Sequence, residues 1–136
     1  MSSATASPKA TALRFLPALA WATVIFYVSD QPTLPDVPGL ASTITSILGH
    51  FTVYFVLAIL LWWALGSLGL SPGQRVGIAF AGAVLYGVSD EWHQSFVPGR
   101  QPDILDVITD AIGAAAGLML IQRLASSDRF GGLIPK

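Results

Sequence analysis

The chain of 136 residues contains no cysteine. That excludes a disulfide framework, a thiolate nucleophile and any Cys-based zinc or iron–sulfur site. Charge is scarce as well: 11% of residues are charged, where soluble domains carry roughly a quarter, while 53% are hydrophobic and the mean hydropathy is +0.64. Such a composition belongs in a bilayer. The formal net charge is −1, and the seven Lys and Arg residues form no run or stripe, so the electrostatic footprint of nucleic-acid binding is missing. No Gly-rich phosphate loop, nucleophilic-serine motif or His-rich metal signature is present either. No cofactor and no metal ligand set is assigned from the sequence, and a metal would have only His and carboxylates to hold it.

What the chain does have is four apolar runs, at 13–28, 44–65, 76–88 extending to about 94, and 104–124. Each approaches the roughly 20 residues that a spanning helix needs. They predict an all-α fold, a transmembrane bundle of four antiparallel helices. One membrane domain is expected over 13–125, between a disordered cytoplasmic tail at 1–12 and a second tail at 126–136. The first run starts like a secretory signal, with Lys9 and Arg14 ahead of it. Y-V-S-D-Q-P offers no small-x-small cleavage site, however, and the run is read as a retained span. Lys9, Arg14, Arg75, Arg123, Arg129 and Lys136 fall on one side of the four-span arrangement and Arg100 alone on the other. Cytoplasmic loops are enriched in such residues, so both termini are expected in the cytoplasm and loops 29–43 and 93–103 outside it. Tyr27, Trp92 and Phe96 fit an outer interfacial belt, and Trp62 with Trp63 an inner one.

The polar residues fall into stripes. Positions three and four apart share a helix face, which puts Asp106, Asp110, Gly113 and Gly117 on one line, acids towards the outside and glycines towards the inside. Gly113 and Gly117 form a small-xxx-small pair that admits a neighbouring helix closely. A charge near the middle of a span costs about 2.5–3.5 kcal/mol and usually faces protein interior or water, so Asp110 needs a partner or a proton. In the third run Tyr86, Asp90 and His93 share one face, and Gly87, Glu91 and Gln94 the next. His50 and Tyr54 lie one turn apart near the outer end of the second run. Three helices thus bring polar groups to one depth. Arg100, between Gly99 and Gln101, supplies a planar fork suited to a carboxylate or a phosphate.

Each group has two readings. Arg100 either clamps Glu91 or Asp106, fixing the third helix to the fourth, or binds an anionic substrate. Asp103 reads as an N-cap for the fourth helix, His50 with Tyr54 as a packing pair or a working one, and His93 as a solvated rim residue. The combination of Glu91, Arg100, Asp106 and His50 carries the functional reading.

The pattern D-E-x-x-Q-x-x-x-P-G-R, followed by D-I-x-D-V-I-T-x-x-x-G-x-x-x-G and preceded by H-F-x-x-Y, resembles the VanZ-like family of small bacterial membrane proteins, named for a teicoplanin-resistance accessory protein. Asp90, Glu91, Gln94, Gly99, Arg100, Asp106, Gly113 and Gly117 fall on the family pattern, and His50 and Tyr54 on its second-span pair. Two positions depart from it. Asp110 stands where the family typically has Asn, and a Lys often found shortly before the second-span His is missing. The resemblance implies a multi-pass protein of the bacterial inner membrane with a role at the cell envelope and, for the namesake, reduced sensitivity to a glycopeptide antibiotic.

The leading expectation is an outward-facing site that binds or modifies an envelope lipid or lipid-linked glycan. Glu91, Asp106 and His50 would be its catalytic acid, base or orienting groups, and Arg100, Asp90, Gln94, Tyr54 and Asp110 its substrate-binding groups. The bilayer is then the first partner, with homo- or hetero-oligomers formed through the glycine face. The alternatives are a structural accessory subunit of a membrane complex and, ranked last, a small proton-coupled transporter.

Overall fold

The computed structural model describes residues 7–32, 38–39 and 41–126 and is helical throughout its regular elements. Five segments follow in order: α1 (Pro8–Arg14), α2 (Leu16–Ser29), α3 (Ser42–Leu65), α4 (Pro72–Gln94) and α5 (Ile104–Ser126). Residues 8–12, expected as part of an unstructured tail, are therefore helical. Residues 127–136, expected as the second tail, lie outside the described residues.

Local sequence accounts for the breaks. Ser7 caps α1 by accepting from the N–H of Ala10. Pro17 has no N–H to continue the ladder, and the chain tightens at Phe15, whose N–H bonds Ala12 O at 3.1 Å, before α2 resumes. At the start of α4, Ser71 and Gln74 form a reciprocal capping box with Pro72 in the first turn. Asp103 Oδ1 accepts the N–H of Leu105 at 2.9 Å, which begins α5 as the cap reading expects.

Three helices are long and apolar enough to cross a membrane: Pro8–Ser29, taking α1 and α2 together, Ser42–Leu65 and Ile104–Ser126. The 23-residue α4 is equally long but more polar, because Arg75, Asp90 and Glu91 lie within it. Those three charges are buried, so α4 spends its polarity on the interior.

The most extensive interface joins α3 to α5, and α4 packs against both. Its closeness depends on two glycines. A Cβ on Gly113 would run into the carbonyl of Phe51, and one on Gly117 would lie 2.5 Å from that of Phe55. The glycine face is thus filled by α3 of the same chain. Small residues continue this packing, with Ala58, Ala79, Ala83 and Ala114 completely buried. α2 lies outside, tied by Trp21 Nε1 donating to Val53 O at 2.8 Å and by Tyr86 Oη donating to Ala22 O at 2.6 Å.

Arg75, counted with the residues of one side, is buried near the start of α4. Its Nε donates to Trp62 O at 2.6 Å, and its guanidinium lies 3.4 Å from the centroid of the Trp62 ring. Trp62 O is among the last carbonyls of α3, which have no partner inside their own helix and carry the negative end of its dipole. Gly66 leaves the space, since a Cβ there would lie 2.5 Å from Arg75 Nη2. Trp62 is therefore a buried platform and not an interfacial anchor. Trp63 is half-buried beneath Arg14, and Tyr27, Trp92 and Phe96 are broadly exposed.

The two kinds of glycine predict opposite outcomes. Gly113→Ala should lower the melting temperature in detergent by several degrees, an overpacking cost of about 1–3 kcal/mol. Gly77→Ala, in a helix position with nothing within 4 Å, should leave it unchanged or raise it, because Ala is favoured over Gly in a helix by about 1 kcal/mol.

Candidate functional site

Near the ends of α3 to α5 that adjoin loop 95–103, the side chains singled out in the sequence converge. His50 is the centre. Its Nδ1 lies 2.9 Å from Asp110 Oδ1 and its Nε2 3.5 Å from Asp106 Oδ2, so one imidazole spans two acids one turn apart on α5. Asp110 is 1% exposed and Tyr54 is fully buried beside it. Asp110 Oδ2 and Tyr54 Oη have no hydrogen-bond partner among the described residues.

Glu91 enters from α4. Its Oε2 accepts the backbone N–H of Asp103 at 2.8 Å, which fastens the loop to the helix, while its Oε1 is buried without a partner. The ligating atoms of His50, Glu91 and Asp106 lie within 4.8 Å of one another. A second chain of contacts runs alongside: Arg100 Nε donates to Gln94 Oε1 at 3.1 Å, and Gln94 Nε2 donates to Asp90 Oδ2 at 3.1 Å. Arg100 is joined to α4 through a neutral amide, and among the described residues it forms no ion pair with Glu91 or Asp106. The carboxylate clamp offered as one reading of Arg100 is not formed.

A cleft of about 100 Å³ lies between α2, α3 and α4. Val24, Ile25, Val28 and Val53 give it apolar walls. Ser29, His50, Tyr54, Asp90, Gln94 and Arg100 supply the polar groups of its lining. His50 is thus shared by the cleft and the carboxylate group. His93 is not part of either: it turns to Asp30 at 3.2 Å and lies over Phe26 with ring centroids 4.5 Å apart.

Two participants were not assigned a role from sequence. Ser29, at the end of α2, enters the cleft lining, and nothing in its local pattern marks it. Gly87 is the other. A Cβ there would lie 2.8 Å from Asp110 Oδ2 and 3.4 Å from Tyr54 Cε1, so the missing side chain makes the space that Asp110 occupies. The signal was present in G-x-x-x-E, which puts Gly87 one turn below Glu91 on the same face of α4.

Gly87→Ala should therefore displace the Asp110 carboxyl and destabilise the fold by about 1–3 kcal/mol. In an Asp110→Ala background the same change meets no carboxyl, so a double-mutant cycle of melting transitions should show a coupling of about 0.5–3 kcal/mol. Additive losses would refute this account of Gly87.

The chain is similar to known proteins over most of its length. The family model described as VanZ/LLP1 matches residues 14–125, which takes in α2 to α5 and every residue of the site. An uncharacterized protein of the yeast Schizosaccharomyces pombe is 29% identical over 83 residues, covering 61% of this chain and 50% of that protein. The chain thus spans about half the length of the curated relative it matches. No solved structure gives a significant match. That relative comes from a eukaryote, so membership alone does not place the chain in a bacterial envelope. With three helices fit to cross a bilayer and a match over most of its length, this membrane protein belongs to the VanZ/LLP1 family.

Proposed function

We propose that the protein binds an anionic amphiphile, an envelope lipid or a lipid-linked glycan, in the cleft between α2, α3 and α4, and acts on its headgroup. The observation that carries this reading is the amphipathic cleft. Its apolar walls suit a hydrocarbon chain, and its polar lining holds an arginine whose contact is an amide and not a carboxylate. A guanidinium presents several N–H donors in one plane, and one of them bonded to Gln94 leaves others for a phosphate or carboxylate. Asp90, Gln94, Tyr54 and Asp110 hold the surrounding groups in place. Glu91, Asp106 and His50 are then the acid, base or orienting groups at the headgroup.

In this reading α4 also crosses the bilayer, as the third of four spans. The 13–125 region forms one four-helix membrane domain, both termini face the cytoplasm, and the site lies on the opposite side. The distribution of Lys and Arg supports that orientation. The oligomer reading loses its main support, because the glycine face expected to recruit a partner is filled by α3. A bacterial inner membrane is the setting that the namesake of the family implies. In such a host the reading expects any change in teicoplanin sensitivity to follow from the handling of a lipid-linked glycan.

Native mass spectrometry of the protein in detergent, with anionic and zwitterionic lipids in competition, tests the proposal. The wild type should retain the anionic species, and Arg100→Gln should lose at least tenfold of that preference, since a hydrogen bond to a charged group contributes about 1.5–3 kcal/mol. Val53→Trp, which fills the cleft from its apolar wall, should abolish retention of both. Equal lipid retention by wild type and Arg100→Gln would overturn the assignment.

A further inference from the structure

Beside the cleft, and independently of any lipid, the residues around His50 have the make-up of a cation site. We propose that His50 Nε2, Glu91 Oε1 and Asp106 hold a divalent transition-metal ion of the Mn²⁺ or Zn²⁺ kind, with Asp110 as the residue that positions His50.

The first argument is the state of the imidazole. Asp110 Oδ1 lies 2.9 Å from His50 Nδ1, and a carboxylate in that place favours a proton on Nδ1. The lone pair of the neutral ring then sits on Nε2, which faces Asp106 Oδ2 at 3.5 Å. A lone pair directed at a carboxylate is repelled unless a cation or a proton lies between them. Metal-ligating histidines commonly donate their other N–H to a carboxylate in this way, which fixes tautomer and ring orientation.

The second is the spacing. Ligands around a four-coordinate ion with bonds of about 2.1 Å stand roughly 3.4 Å apart, close to the 3.5 Å between His50 Nε2 and Asp106 Oδ2. One ring nitrogen of His50 and one carboxylate oxygen each of Glu91 and Asp106 lie within 4.8 Å of one another. One nitrogen and two carboxylates suit a borderline divalent ion better than a soft one or a purely oxygen-seeking one.

The third is Glu91 itself. It is 6% exposed, and its Oε1 has no hydrogen-bond partner among the described residues. A buried carboxylate oxygen with nothing to accept from is costly, and it is one of the three groups that converge. Three carboxylates, Glu91, Asp106 and Asp110, surround one histidine. Arg100, the cation of the adjoining loop, is directed to Gln94 instead. Three protein ligands leave a further position for water or an anionic group, the arrangement of a catalytic site as opposed to a closed structural one.

The competing state is a metal-free imidazolium bridging Asp110 and Asp106. To separate the two, untagged protein in detergent, stripped with EDTA and kept free of added lipid, is titrated with Mn²⁺ and followed by electron paramagnetic resonance. One equivalent should bind, show nitrogen coupling from a single imidazole, and be displaced by one equivalent of Zn²⁺. Glu91→Gln and Asp106→Asn should each weaken binding at least tenfold, and Asp30→Asn, at the separate His93 pair, should not. Wild-type protein that binds no Mn²⁺, or binds it without nitrogen coupling, overturns the proposal, and both readings need only the unmodified chain. Loss of metal with lipid retention intact would sink this inference alone; loss of lipid retention with metal intact would sink only the preceding one.

Discussion

A carboxyl group placed where Asp110 is has to be met by a donor, because an unpartnered charge among apolar helices costs far more than any packing contact returns. His50 is that donor, and the 2.9 Å contact between them fixes much else. It sets the rotation of α3 relative to α5, since His50 must look at the face that carries Asp106 and Asp110. It favours a proton on Nδ1, which leaves Nε2 to face Asp106. It also keeps Tyr54, one turn from His50, in a fully buried position against the same acid.

The contact can form only where backbones come close, and the glycines provide this by what they lack. Gly113 and Gly117 let α3 approach α5 until its carbonyls occupy the places of the missing side chains, and Gly87 does the same for the Asp110 carboxyl from α4. These three positions belong to one solution: small residues bring the helices together, and closeness shields the polar groups. At the other end of α3 the logic recurs with opposite charge. There Gly66 admits Arg75, whose guanidinium meets the terminal carbonyls of α3 and the face of Trp62. The α3–α4 pair is therefore held at one end by a cation on a helix C-terminus, while at the other end His50 of α3 meets the acids of α5.

Helix periodicity carried far in this chain, because apolar runs and polar stripes both follow from 3.6 residues per turn. The apolar runs anticipated α2 to α5 to within a few residues at each end. The stripe of Asp106, Asp110, Gly113 and Gly117 did lie on one face, and that face did meet a close neighbour. What periodicity cannot give is the pairing between faces. Nothing in the string says that His50 reaches Asp110 at its Nδ1 and Asp106 at its Nε2, or that Arg100 turns to Gln94 instead of a carboxylate. A charge count says which end of a helix an arginine lies at but not what it meets: the carbonyls at the end of a neighbouring helix can draw it inside, as they do Arg75. Trp62 went the same way, since an aromatic ring that stacks on a guanidinium has the same composition signal as one that anchors at headgroups.

Two features of the sequence around this histidine gain a common sense at this site. Asp110 stands 2.9 Å from His50 Nδ1, and Leu48 and Gly49, just ahead of the histidine, add no positive charge. Both leave the cluster rich in acid, and the Arg100 guanidinium contacts Gln94. An excess of acid gathered around one imidazole is stable only with a proton or a cation to offset it. Gly49 also lines the cleft and puts no side chain in the approach to His50. The site therefore suits positive charge at His50 and has Arg100 for negative charge on the cleft side. A ligand that carries an anionic headgroup beside a bound cation would satisfy both.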